Sequence, residues 1–338
     1  MTAQTLLHPH GWIVLDKPRG MGSTEAVSAV KRLLRDVGHG KVKIGHGGTL
    51  DPLAEGVLPI ALGEATKLAG RMLGASKTYA FTITFGAETA TLDGEGEVVT
   101  MSDRRPPIAA VAAILEHFTG EIEQLPPAYS ALKVGGRRAY DLARAGEAVE
   151  LQSRRVTVHS LTFASTAGEQ SRADPLLYSA FATTAGRPDG YDPRAPLELA
   201  DTITLVADVS KGTYIRSLAR DIAHALGTVG HVTYLRRLKA GPFVEEQAIS
   251  LDMLREIGKG ARLEDHLLAL EAGLDGIPAL NLEPESARAV RQGRVLSGMP
   301  HPDGLYFAKA GQVPVALMEL SGGTAKVVRG FNLTDTAE

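Results

Sequence analysis

Cysteine is missing altogether from the 338 residues. Disulfides, thiol catalysis and cysteine-ligated metals are thereby excluded, and a reducing cytoplasm is the expected compartment. Long apolar runs are missing too, since none approaches the ~18 residues that a membrane-spanning helix needs. The opening MTAQTLLHPHGW has neither the basic start nor the apolar core of a signal peptide. Several catalytic signatures are also lacking. No G-x-x-x-x-G-K-[ST] loop occurs, because Gly40 and Lys41 are followed by Val42, and neither H-E-x-x-H nor G-x-S-x-G is present. The histidines show no metal-ligand spacing apart from His8 and His10 near the N-terminus. A P-loop enzyme, a metal hydrolase and an ordinary α/β-hydrolase are disfavoured. The remaining composition, 44% hydrophobic and 22% charged, is that of a globular chain with one large domain or two unequal ones.

A net charge of -3 argues at first sight against a nucleic-acid partner. The distribution says otherwise. Residues 1–50 carry seven Lys/Arg against three acids, and residues 130–160 and 205–245 each carry six against three. The acids gather in residues 88–103, with five and no base, and in residues 246–338, with thirteen against nine bases. Three separated basic stretches could track a phosphate backbone if the fold brings them together. Read on charge alone, each is more simply a solvated face.

Residues 11–16 read as a short strand. Ser23 or Thr24 is placed to cap a helix in which Val27, Val30, Leu33, Leu34 and Val37 recur at helical spacing, with Gly38 as its stop. Residues 64–73 and 108–118 read as helices, 202–209 as a strand and 149–163 as one or two strands. Tyr79, Phe81, Ile83 and Phe85 alternate along a half-buried strand. Thr213 is placed to cap a helix bearing Ile215, Leu218, Ala219, Ile222 and Leu226, ended by Gly227. Residues 164–200, rich in Gly, Pro, Ser, Thr and Ala, read as a long loop or insertion with no function assigned by the sequence. A boundary near residues 273–278 precedes a helix at 284–292 and β-like runs at 305–308, 313–320 and 325–331, a small domain of roughly 60 residues. Strands and helices alternate without a regular βαβ rhythm, so the larger body is expected to be mixed α+β.

Three stretches carry chemistry. Residues 44–60 read IGHGGTLDPLAEGVLPI. Their glycines allow close backbone approach, and the proline after Asp51 biases that residue to an extended conformation. Such an aspartate could be a nucleophile or general base, or merely an Asx-turn. Residues 210–218 read SKGTYIRSL and put Arg216 in the first helical turn, where acids are preferred. It is either an ordinary surface arginine or a residue with a special partner, a buried carboxylate or a phosphate. Residues 124–144 read QLPPAYSALKVGGRRAYDLAR, basic groups interleaved with tyrosines. They suit a mobile RNA clamp of Lys133, Arg137, Arg138, Tyr140 and Arg144, or a surface loop followed by an amphipathic helix in which Leu142 packs.

Together these stretches resemble the TruB family of bacterial tRNA pseudouridine-55 synthases. The likeness rests on GWIVLDKPRG at residues 11–20, the motif around Asp51, KTY at 77–79, KGTYIR at 211–216 and YLRR at 234–237, in the family's order. It covers roughly residues 11–331 without 164–200. The family usually has Thr where Gly22 and Gly47 stand, and often where Glu55 stands.

The resemblance implies a pseudouridine-synthase fold with a mixed, largely antiparallel central sheet over residues 1–275. It also implies a small β-rich PUA-like RNA-binding domain over 277–332. Uridine would become pseudouridine in the T-loop of tRNA without cofactor or metal, with Asp51 as the catalytic carboxylate and Arg216 pairing with it. Tyr79 would stack on the target base, Tyr214 would hydrogen-bond near it, and Leu235 would line the pocket. The base must be flipped out, and His46 would occupy its vacated place. Residues 124–144 would clamp the T-arm, and the PUA-like domain would contact the acceptor end. No guide RNA and no membrane partner are expected, and the protein would act as a monomer. A binding protein without chemistry, a guide-dependent enzyme on ribosomal RNA, and a small-molecule enzyme holding phosphate in the Gly-rich loop are the competing readings.

Overall fold

The structure is a computed structural model describing residues 9–130, 132–147, 150–164, 197–257 and 263–333. The expected insertion at 164–200 falls mostly outside the described residues. The chain divides into two compact units, Met1–Pro52 with Gly56–Ala75 and Lys239–Glu338, and Leu53–Glu55 with Ser76–Leu238. Among the described residues no helix is long and apolar enough to cross a membrane.

In the first unit, strand Gly11–Lys17 pairs antiparallel with Glu55–Leu62, from Gly11 opposite Leu62 to Lys17 opposite Gly56. Both strands are buried along nearly their whole length, which explains continuous apolar runs rather than alternation. Trp12 is fully buried, its indole N–H donating to the Leu270 carbonyl at 3.0 Å and its ring 5.1 Å from that of Phe243. Gly273 lets the chain pass close beside that indole, since a Cβ there would lie 2.5 Å from the Trp12 ring. Helix Ser23–Asp36 buries Ser23, Ala26, Val30 and Leu34. Its N-cap is Gly22 without a side-chain cap, so neither Ser23 nor Thr24 caps it; Ser23 is the first helical residue and its hydroxyl is engaged elsewhere. The expected 64–73 helix is a 3-10 turn, Gly63–Lys67, followed by the short helix Ala69–Gly74.

The C-terminal part of this unit is a five-stranded sheet around helix Pro284–Arg291. Alternation along its strands serves two cores. Tyr306, Ala308, Ala316 and Met318 face the helix side, with Ala287 and Val290. Phe307, Leu317 and Phe331 join Trp12, Leu68, Met72 and Phe243 in the other. Lys67 donates to the Gly330 carbonyl at 2.8 Å, and Glu64 accepts the Asn332 N–H at 2.7 Å.

In the second unit the strand order is Gly230–Ala240, Lys77–Phe85, Thr202–Val209, Arg154–Phe163, Gly120–Gln124. The three pairings from Lys77–Phe85 outward to Gly120–Gln124 are antiparallel. Phe81, Ile83 and Phe85 are buried, as their alternation predicts, while Tyr79 is half-buried. The opposite face carries cross-strand threonine pairs, Thr82 with Thr204 at 2.8 Å and Thr84 with Thr233 at 2.9 Å. Helix Ile215–Ala225 packs Leu218, Ala219, Ile222 and Ala223 inward. Its N-cap is Tyr214 rather than Thr213, whose hydroxyl donates to the Ser210 carbonyl at 3.0 Å and closes the preceding turn. Gln124 does the capping from a distant strand. Its side-chain oxygen accepts the Tyr214 N–H at 2.8 Å, and its amide donates to the Tyr214 carbonyl at 3.1 Å.

Candidate active-site elements

Within the first unit, Asp51 sits half-buried on the loop between strands Ile44–His46 and Glu55–Leu62. Its neighbours fix it from both sides. Ser23 Oγ accepts the Leu50 N–H at 2.7 Å and donates to the Leu50 carbonyl at 2.9 Å, both buried. The Pro52 carbonyl accepts the Gly20 N–H at 2.7 Å. Upstream, Gly47 N–H donates to the Pro59 carbonyl at 2.8 Å, and His46 lies opposite Ile60. Residues 18–22 are themselves held by Lys17, a fully buried ammonium donating to the carbonyls of Pro18 at 3.0 Å and Met21 at 2.6 Å. The opening motif and the Asp51 motif thus form one hydrogen-bonded assembly around Asp51. His46 stands at the start of this loop, with its Nδ1 3.4 Å from the Gly48 N–H.

Within the second unit, Arg216 is buried, 5% exposed, in the first turn of its helix. Its guanidinium lies 3.3 Å from the Asp93 carboxylate and donates to the carbonyls of Thr91 at 2.7 Å and Tyr129 at 2.9 Å. A buried carboxylate is among the partners that a cation set against the helix dipole suggests. Asp93 itself is 2% exposed and also accepts from Thr91 Oγ1 at 2.5 Å and the Glu95 N–H at 3.0 Å. Sequence reasoning missed Asp93 as an individual, although the acidic 88–103 stretch contains it. Ser23, a cap by its position in the sequence, is instead an anchor for Leu50.

Tyr214 lies at the head of the same helix, its ring 4.7 Å below the Arg154 guanidinium, which also donates to the Gly212 carbonyl. Tyr79 is half-buried on strand Lys77–Phe85, opposite Ala207, and Leu235 is buried on strand Gly230–Ala240. Next to Leu235, Arg236 meets Glu55 at 3.3 Å. Lys77 and Arg237 are both buried. Burial first, and then the neighbouring Arg237 charge, lower the Lys77 ammonium from the ordinary 10.5 to about 8.

The stretch read as a clamp folds as a two-residue hairpin, Lys133–Val134 with Arg137–Arg138, leading into helix Ala139–Arg144. Lys133 and Arg137 are exposed, and Arg137 pairs with Glu147 at 2.9 Å. Arg144 stacks over Tyr140 at 4.6 Å, and Tyr140 meets Tyr129 edge-on at 5.9 Å. Leu142 is buried. Arg138 contributes its backbone to the hairpin.

Comparison with known proteins places this architecture. Solved structures of the same fold include an H/ACA RNP bound to a substrate RNA containing 2'-deoxyuridine. Its TM-score is 0.65 at 24% identity, covering 96% of this chain and 86% of that one. A Cbf5-Nop10-Gar1 complex matches with TM-score 0.62 and 24% identity, covering 96% and 84%. The chain has the pseudouridine-synthase fold. Family models described as the TruB family pseudouridylate synthase N-terminal domain and the tRNA pseudouridylate synthase B C-terminal domain match residues 32–176 and 216–275. A Novosphingobium aromaticivorans protein named tRNA pseudouridine synthase B is 63% identical over 97% of this chain and 99% of its own length. One of that name from Zymomonas mobilis is 53% identical over 96% of each. The chain belongs to the TruB family of pseudouridylate synthases. The matched models end before the C-terminal sheet, whose strands run from Ala279–Asn281 to Thr324–Gly330.

Proposed function

We propose that the protein isomerises uridine to pseudouridine in the T-loop of tRNA, at the position numbered 55. The observation that carries this reading is the Asp51 loop, a family-motif aspartate whose flanking backbone is held at Leu50 by Ser23 and at Pro52 by Gly20. A preorganised carboxylate suits a reaction in which the N1–C1′ bond breaks, the base turns and C5 bonds to C1′. The composition of uridine is conserved, since the proton lost from C5 to solvent is matched by one that N1 takes up, and neither redox change nor net hydrolysis occurs.

In this reading Asp51 acts on the target nucleotide. Tyr79 stacks on its base, Tyr214 hydrogen-bonds beside it and Leu235 supplies an apolar wall. Arg216, buried and oriented by Asp93, supplies fixed positive charge. A T-loop base is inaccessible in place, so the nucleotide is flipped out and His46 fills the gap. Lys133, Arg137, Arg138, Tyr140 and Arg144 grip the T-arm, and the C-terminal sheet acts as a PUA-like module on the acceptor end. The protein works as a monomer in the cytoplasm, on tRNA without a guide RNA.

The test uses a tRNA transcript labelled with tritium at uridine C5. The protein alone releases tritium to water, and Asp51→Asn releases none. Undiminished release by Asp51→Asn contradicts the assignment.

A further inference from the structure

Gly47 lies four residues before Asp51 in a buried stretch of the loop, and its surroundings are tight on one side only. A Cβ there would lie 2.7 Å from Met72 Cβ and 3.0 Å from Met72 Cγ, with Pro59 Cβ at 3.5 Å. The Met72 Cβ belongs to helix Ala69–Gly74 and cannot swing aside as the tip of a flexible side chain could. Met72 is 4% exposed and packs in the core with Trp12, Leu68 and Phe243. Its sulfur lies beside Gly241, with Sδ 3.5 Å from where a Cβ there would sit, an ordinary packing distance. The methionine therefore fills the space that a side chain at Gly47 would take.

We propose that Met72 is a positioning residue for the catalytic loop, and that Gly47 and Met72 form a complementary pair in which the bare backbone of one requires the side chain of the other. Met72 and Pro59 set the height of the loop at Gly47, while Ser23 and Gly20 fix it beside Asp51. Loss of the first support lets the segment from Gly47 to Leu50 shift as a lever on the carboxylate. The inference rests on the reading of Asp51 as the catalytic group.

The experiment is a double-variant cycle on the full chain, with kcat and KM measured on tRNA transcript and folding followed by thermal unfolding. Gly47→Ala is expected to lower kcat about 100-fold, the scale of a misplacement near 1 Å, with KM within about twofold of wild type. Adding Met72→Gly removes the opposing Cβ and is expected to restore kcat at least about tenfold over Gly47→Ala alone. Met72→Ala, which loses Cγ, lowers kcat, whereas Met72→Leu, which keeps Cβ and Cγ, retains it. Wild-type kcat in Gly47→Ala overturns the proposal, as does a folded double variant no better than Gly47→Ala. If the Gly47 variants do not fold, the Met72 pair decides, and equal kcat in Met72→Ala and Met72→Leu overturns it. An inactive wild type, or an active Asp51→Asn, sinks the catalytic reading instead, so the two failures are distinct.

Discussion

Replacing Ser23 by Ala removes one oxygen atom and two hydrogen bonds, 2.7 and 2.9 Å long, both to Leu50. Ser23 is 4% exposed and Leu50 is 3% exposed, so water cannot easily replace the hydroxyl. The Leu50 N–H and C=O are left buried without that partner, at about 1–3 kcal/mol for each unsatisfied group. The helix does not lose a cap, because the hydroxyl does not cap it. A total loss of about 2–6 kcal/mol follows, set against the 5–15 kcal/mol or so of a stable domain, and the variant is expected to fold. Its effect on catalysis is larger than a bare stability change implies, because the freed peptide adjoins Asp51. A fall in kcat of about 10–100-fold is expected, with little change in KM. Urea unfolding gives the first number and tritium release at saturating tRNA the second. A stability loss below about 0.5 kcal/mol, or an unchanged kcat, refutes the claim that Ser23 holds the loop.

Asp93→Asn keeps the shape but removes the 3.3 Å ion pair with the buried Arg216 guanidinium, and lowers stability by about 1–3 kcal/mol by chemical denaturation. A loss below about 0.5 kcal/mol contradicts a stabilising role for this ion pair. Lys77 binds its proton less tightly folded, at about 8, than its ordinary 10.5. The unfolded chain therefore holds more protons between those values, and the contribution of Lys77 to stability rises with pH across that window. Lys77→Met flattens that rise in unfolding curves collected from pH 7 to 11, and an unaltered profile contradicts the assignment. Binding of tRNA weakens steeply between about 50 and 200 mM salt despite the net charge of -3, and a flat response speaks against phosphate contacts from the basic stretches.

The chemistry was more legible in the sequence than the scaffold that orders it. The motif around Asp51 and the KGTYIR segment are contiguous, so one-dimensional reading finds them. The alternation of Phe81, Ile83 and Phe85 and the C-terminal β runs are local patterns set by burial on one side of a strand. What escaped was set by distant partners. Ser23 looks like a cap because a serine before an apolar-periodic segment usually is one. Its hydroxyl is taken instead by a backbone 27 positions away. Thr213 misleads for the same reason, with Gln124 reaching the helix end from 90 positions away. Arg216 announced a partner by standing against the helix dipole, but nothing local singles out Asp93 from the other acids of its stretch. The Gly47 departure from the family pattern was visible, and only the packing of Met72 beside it supplies a physical reason.

The most direct test of the account is to incubate the protein alone with an unmodified tRNA transcript and map pseudouridine at nucleotide resolution. One new pseudouridine, at the T-loop uridine numbered 55, is the predicted result. No product, product at other positions, or product only when a guide RNA is added would contradict it.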